Sequence, residues 1–253
     1  MNKKRPLYYS SEVVLFPLIF VMIIWIAFWV DLRFGLKFGK WGIYPQKLEG
    51  LRGVIFGPLI HGDLKHLFNN SIPLFVLSAA LFYFYRNVRW KVLLWGTLLT
   101  GLGTWLIARP AFHIGASGVV YMLAAFLFFK GIFSKRYQLT ALSLIVVFMY
   151  GGLLWYLFPV DPKISWEGHL SGFVVGFLFS LVFKHNVVED KKYAWEREDF
   201  DPEEDEFLQQ FDENGNFIET KPQNDSEEKL DLDEPGITVR YIFKKRPNKK
   251  SDQ

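Results

Sequence analysis

The sequence predicts an all-α membrane protein: a bundle of six transmembrane helices with the N- and C-termini cytoplasmic, followed by a mostly disordered acidic C-terminal tail. Three observations predict it. Hydrophobic residues make up 51% of the 253 and aromatic residues 18%, and the apolar ones gather into long blocks. Charge divides the chain in two, with residues 1–184 carrying 18 Lys+Arg against 6 Asp+Glu and residues 185–253 carrying 11 against 20. Apolar segments long enough to be spans alternate with short polar turns. A basic first part suits a protein held against a lipid bilayer with anionic headgroups, and nothing in it calls for nucleic acid. Cysteine is absent, which excludes disulfides, thiolate metal sites and cysteine nucleophiles.

Residues 1–10 form a cytoplasmic N-terminus that carries Lys3, Lys4 and Arg5, and residues 11–184 form the membrane domain. The first span, 13–30, has no charged side chain and ends on Asp31 without a small-residue cleavage site, so it reads as a retained helix. The basic flank places its start in the cytoplasm. A long amphipathic loop, about 31–65, is too broken by charge to cross and is expected in the interface. Further spans follow at 66–85, 90–108, 117–133, 138–158 and 168–183. The inner turns then hold Arg86, Arg89, Lys91, Lys130, Lys135 and Arg136, in agreement with that orientation, whereas the first outer loop carries six Lys+Arg against it. The fourth and sixth spans are the shortest, so helices starting there would begin below the outer surface.

The tail, 185–253, is acidic and is expected to be largely disordered, with short strands around Asn214-Gly215 and at 237–243. Asp212-Glu213-Asn214-Gly215-Asn216 falls short of a calcium loop, because Phe217 stands where glycine is required and Gln223 where glutamate is. Calcium is therefore not expected there.

Ionisable and nucleophilic groups within spans are the functional candidates. Ser117 follows Gly115-Ala116 and precedes Gly118 where the fourth span begins, beside the unpaired N–H groups of a helix start. In the sixth span His169, Gly172 and Gly176 share one face, which lets that helix approach a neighbour closely and present its imidazole. Near a serine hydroxyl, such an imidazole can take and return a proton. His66 and Asn70 share a face of the second span and can donate to an oxyanion, while Asn69 points about 100° away. Tyr121 lies one turn below Ser117 and is placed to stack on the imidazole. Glu167 lies nearly opposite His169, so a serine–histidine dyad is expected without a third acid. His61 and His113 read as structural loop histidines.

His61-x4-His66-x3-Asn70, Gly115-Ala116-Ser117-Gly118 with Tyr121, and Gly168-His169-x2-Gly172-x3-Gly176 occur in this order on the second, fourth and sixth spans. Over residues 10–184 the chain resembles the rhomboid family of intramembrane serine proteases. The resemblance implies Ser117 as nucleophile, His169 as general base and acid, and an oxyanion hole of His66, Asn70 and the Ser117 backbone N–H. It further implies Tyr121 packed on His169, no cofactor, and transmembrane protein substrates cut near the outer surface. Gly168 stands where the family often has alanine, and the first loop lacks the family's common Trp-Arg pair. The rival readings are a non-catalytic rhomboid-like protein that binds membrane clients, and a transporter using His66 and His169 as a proton path. With no Arg/Ser-rich presequence, a bacterial plasma membrane is the expected location.

Overall fold

A computed structural model describes residues 10–134, 136–183, 193, 200–205, 207–212 and 214–218. The chain divides into two units, Met1–Asp190 and Lys191–Gln253. Among the described residues the first unit holds seven α-helices: α1 (Glu12–Phe34), α2 (Arg52–Phe56), α3 (Leu64–Phe84), α4 (Arg89–Ile107), α5 (Ser117–Phe133), α6 (Tyr137–Tyr150) and α7 (Trp166–Val182). Helices α1, α3 and α4 are long and apolar enough to cross a membrane, and α5, α6 and α7 are shorter apolar helices.

Helix α1 runs four residues past the apolar block, because Gly35 takes the left-handed conformation (φ 63°) and its N–H closes the last turn on the Asp31 carbonyl. Its outer face, with Leu18, Met22, Ile26 and Trp29, is exposed and apolar, as a lipid-facing helix must be. Two polar contacts tie it to the bundle: the Trp25 indole donates to Ser71 Oγ at 2.9 Å, and Arg89 pairs with Glu12 at 2.7 Å. The loop that follows does not span; it folds into the 3-10 turns Phe38–Trp41, Leu48–Leu51 and Gly57–Leu59 around short α2. Two of its cations lie on aromatic faces, Arg52 5.4 Å from the Trp41 ring centroid and Lys47 4.7 Å from that of Tyr44.

Helix α5 is the axis of the bundle, packed by α3, α4, α6 and α7. Met122, Leu123, Phe126 and Leu127 on it are fully buried and meet Leu67, Leu77 and Leu81 of α3 and Val92 of α4 in one core cluster. Ser71 and Thr104 donate to carbonyls of their own helices, Leu67 and Thr100, at 2.8 Å each, while Ser143 Oγ lies 3.0 Å from the Leu139 carbonyl oxygen on its own helix and 2.8 Å from that of Phe128 on α5. Contacts between such helices rest on close packing, since lipid tails are as apolar as the side chains they replace.

The expected fifth span, 138–158, is not one continuous α-helix. Helix α6 stops at Tyr150, where the Gly151-Gly152 pair weakens the α-helical turn, and the chain continues as the 3-10 segment Gly151–Leu157. At about 1.5 and 2.0 Å rise per residue the two pieces together still reach roughly 35 Å.

In the second unit, Phe211 and Phe217 form a single antiparallel bridge across a turn at Asn214-Gly215, with Gly215 at φ 80°. Asp212 Oδ1 accepts from the Asn214 and Asn216 N–H groups. The strand expected at 237–243 lies outside the described residues.

Candidate active site

Ser117 is the first residue of α5, and the loop before it is pinned from two sides. His113 exchanges both backbone hydrogen bonds with Ile43, at 2.8 and 2.9 Å, and the Gly115 N–H donates to the Gly57 carbonyl at 2.9 Å. Gly115 has φ 109°, a conformation that side chains other than glycine's rarely adopt. A Cβ there would also lie 2.6 Å from His66 Nε2 and 3.6 Å from Asn70 Nδ2. Glycine fits there because of the positive φ and because the His66 ring takes the space a Cβ would need, while Asn70 Nδ2 stands at ordinary contact distance.

Helices α5 and α7 touch backbone to backbone. The position of a Cβ on Gly172 is taken by the Gly118 carbonyl, and that of one on Gly176 by the Met122 carbonyl. This contact carries the imidazole across, so that His169 Nε2 lies 2.9 Å from Ser117 Oγ. The other ring nitrogen, Nδ1, lies 3.0 Å from the Tyr156 carbonyl oxygen, which can only accept. Nδ1 therefore carries the hydrogen, and Nε2 is left as an acceptor for the serine hydroxyl. Tyr121 fixes the ring plane, stacked on His169 with centroids 4.1 Å apart and an interplanar angle of 9°.

Asn70 is buried, and among the described residues its Nδ2 has no hydrogen-bond partner, an uncommon state for a buried donor. Asn69 is exposed on another face of α3. The start of α3 is set by Asp63, whose carboxylate accepts from the His66 N–H at 2.8 Å. His61 lies against His66, ring centroids 4.9 Å apart, and its Nε2 is 3.4 Å from the Ala116 N–H. Burial, with the neighbouring His66 adding to it, pushes the His61 pKa down to about 4, so the ring is neutral near pH 7. His113 is held by Ser165 Oγ at 2.6 Å and the Arg109 carbonyl at 3.0 Å.

Glu167 is buried and faces Arg109, whose Nη1 contacts both carboxylate oxygens at 3.2 Å. It does not orient His169; a backbone carbonyl does. Beside Ser117 lies a cavity of about 30 Å³ whose lining includes Thr100, Thr104, His113 and Ser165. That volume exceeds the ~10–15 Å³ a water molecule needs. Among the described residues no group of three or more His, Cys, Asp or Glu is arranged to hold a metal ion.

Sequence reasoning missed Tyr156, Arg109 and Ser165. Tyr156 acts through its carbonyl, which no side-chain pattern reports. A lone arginine in an outer turn and a carboxylate two residues before the histidine were a legible hint of pairing.

A family model described as the rhomboid domain matches residues 49–186, more than half of the chain. The chain belongs to the rhomboid family. The matched segment runs from α2 through α7 and contains Ser117, His169, His66 and Asn70; α1 precedes it. The helices and this membership make the chain a multi-pass membrane protein, in a family that includes intramembrane serine proteases. Uncharacterized proteins of Mycobacterium bovis and Mycobacterium tuberculosis are 40% identical over 170 residues, which cover 63% of this chain and 70% of theirs. An uncharacterized protein of Mycobacterium leprae is 36% identical over 146 residues, covering 53% of this chain and 57% of its own.

Proposed function

We propose that this rhomboid-family protein is an intramembrane serine endopeptidase that hydrolyses peptide bonds in or near transmembrane segments of other proteins. The observation that carries the reading is the 2.9 Å contact between Ser117 Oγ and His169 Nε2, with Nδ1 directed at a carbonyl. In that tautomer His169 accepts the serine proton as Oγ attacks the scissile carbonyl. The tetrahedral oxyanion receives hydrogen bonds from Asn70 Nδ2, His66 and the Ser117 N–H, in a site where such donors need no reorganisation. His169 then returns the proton to the leaving amine. A water from the cavity beside Ser117, deprotonated by the same imidazole, releases the acyl group.

A substrate helix enters from the side and unwinds locally, because a helically bonded carbonyl is closed to attack. Substrates with small or helix-weakening residues near their outer end are preferred, since unsatisfied backbone groups in lipid cost several kcal/mol each. The basic N-terminal flank and inner turns support cytoplasmic termini and six crossings, and the aromatic seating of Arg52 and Lys47 suits a first outer loop lying in the interface. The mycobacterial relatives favour a bacterial plasma membrane.

Cleavage of a transmembrane reporter protein in liposomes tests this reading. Ser117→Ala is expected to abolish cleavage; undiminished cleavage by that variant would remove the assignment. A client-binding protein without catalysis would bind the reporter and leave it intact. A proton-coupled transporter would show flux in sealed vesicles and no cleavage.

A further inference from the structure

The α4–α5 connection carries Ser117 at its end, and it also grips the first turn of α7. Arg109 makes five contacts across to that side. Its backbone N–H and Nη1 meet the Glu167 carboxylate at 3.2 Å, and Nη2 donates to the Pro162 and Ile164 carbonyls at 2.8 Å each. Four residues on, His113 makes a second link. The Arg109 carbonyl can only accept, so His113 Nε2 carries the hydrogen and Nδ1 accepts from the Ser165 hydroxyl. Ser165 Oγ in turn accepts from the Gly168 N–H, capping α7 one residue before His169.

We propose that Arg109, Glu167, His113 and Ser165 form a clamp that sets the register of the first turn of α7, and so of His169, against Ser117, while the Tyr156 carbonyl orients the ring. The hydrogen bonds of these four side chains go to one another and to backbone groups rather than to the Ser117 or His169 side chains, so they are positioning residues. The clamp makes one loop the reference for both members of the dyad: it holds the serine through the chain and the histidine through the first turn of α7. Buried Glu167 has Arg109 as its cationic partner, so the link is costly to break. At the other end of α7, Lys130 Nζ donates to the Ser180 carbonyl at 2.8 Å, tying the helix to α5 there as well. With both ends tied, the remaining freedom of His169 is rotation and slide of the first turn, which Arg109 and His113 restrict.

The proposal rests on the dyad reading, and the experiment separates the two. The full chain in detergent is compared as wild type, Arg109→Gln, Arg109→Lys and Ser165→Ala, for kcat and KM on a transmembrane reporter and for the rate of Ser117 labelling by a fluorophosphonate. Displacing a reacting group by about 1 Å costs roughly 10²-fold. Arg109→Gln is expected to lower kcat and labelling by at least about tenfold with KM within about twofold, Arg109→Lys to recover part of that loss, and Ser165→Ala to fall between. Wild-type kcat and labelling in folded Arg109→Gln would overturn the clamp, as would a lowered Tm with kcat intact. Amide hydrogen exchange at 166–169 reads the clamp without catalysis: it should speed up at least about tenfold in Arg109→Gln or, if that variant does not fold, in Ser165→Ala. Unchanged exchange would overturn the clamp and leave the dyad standing. A wild type that neither cleaves nor labels would remove the dyad reading, while faster exchange in the variant would still support the clamp as the device that holds α7.

Discussion

The carbonyl oxygen of Gly118 occupies the space that a Cβ on Gly172 would need. Gly172, with Gly176 one turn on, thus lets α7 come this near to α5 and brings His169 within reach of Ser117. Gly172→Ala must push the helices apart at backbone atoms that cannot swing aside. The expected result is a lower Tm, of the order of 1–3 kcal/mol in stability, and a loss of kcat near 10²-fold. Gly39→Ala is the control, because a Cβ there meets nothing within 4 Å. Equal activity in both variants would contradict the packing argument.

Among the described residues, Asn70 keeps a buried amide donor without a partner beside the backbone that leads into Ser117. If that donor serves an oxyanion, its absence is felt in the transition state far more than in substrate binding. Asn70→Ala is expected to lower kcat by about 10²–10³-fold with KM within a few fold. Asn70→Asp should be worse, since its carboxylate opposes the developing charge. A rise in KM with kcat unchanged would assign Asn70 to substrate binding.

Stability should respond to acid through His61. Its pKa falls from the ordinary 6.5 in the unfolded chain to about 4 in the fold, because burial disfavours the charged ring. Between those values the unfolded state binds more protons, so stability rises with pH across this window. The contribution is complete above about 6.5 and is lost as pH falls toward 4. The Tm in detergent should therefore drop between pH 7 and pH 4.5, and His61→Asn should flatten that dependence. The same slope in His61→Asn would assign it to other groups.

Much of the candidate site was legible because its chemistry sits in side chains whose type is rare inside a membrane. Ser117 at a helix start and His169 on a glycine face are such signals, and the spacing 169, 172, 176 already specified the face that meets α5. Asn70 was separable from Asn69 by helical period alone, and the two do differ in burial. The apolar run ends at Asp31, yet the helix continues to Phe34 and closes on the left-handed Gly35, because a charge ends a hydrophobic block without ending a helix. The break after Tyr150 was hidden by an apolar run that continues to Phe158, although Gly151-Gly152 marked it. Tyr156 was out of reach in principle, since every residue has a carbonyl and only the 3-10 segment puts this one at His169 Nδ1. Glu167 pairs with Arg109 across the loop, a contact that depends on tertiary approach and that helical period alone does not report.

The most direct test of a working serine–histidine pair is covalent labelling of the purified protein with a fluorophosphonate. The Ser117 oxygen displaces fluoride only when its proton has somewhere to go. Wild type should label at one site, and both Ser117→Ala and His169→Ala should abolish it. Labelling that survives in His169→Ala at the wild-type rate, or that is missing from active wild type, would contradict the account.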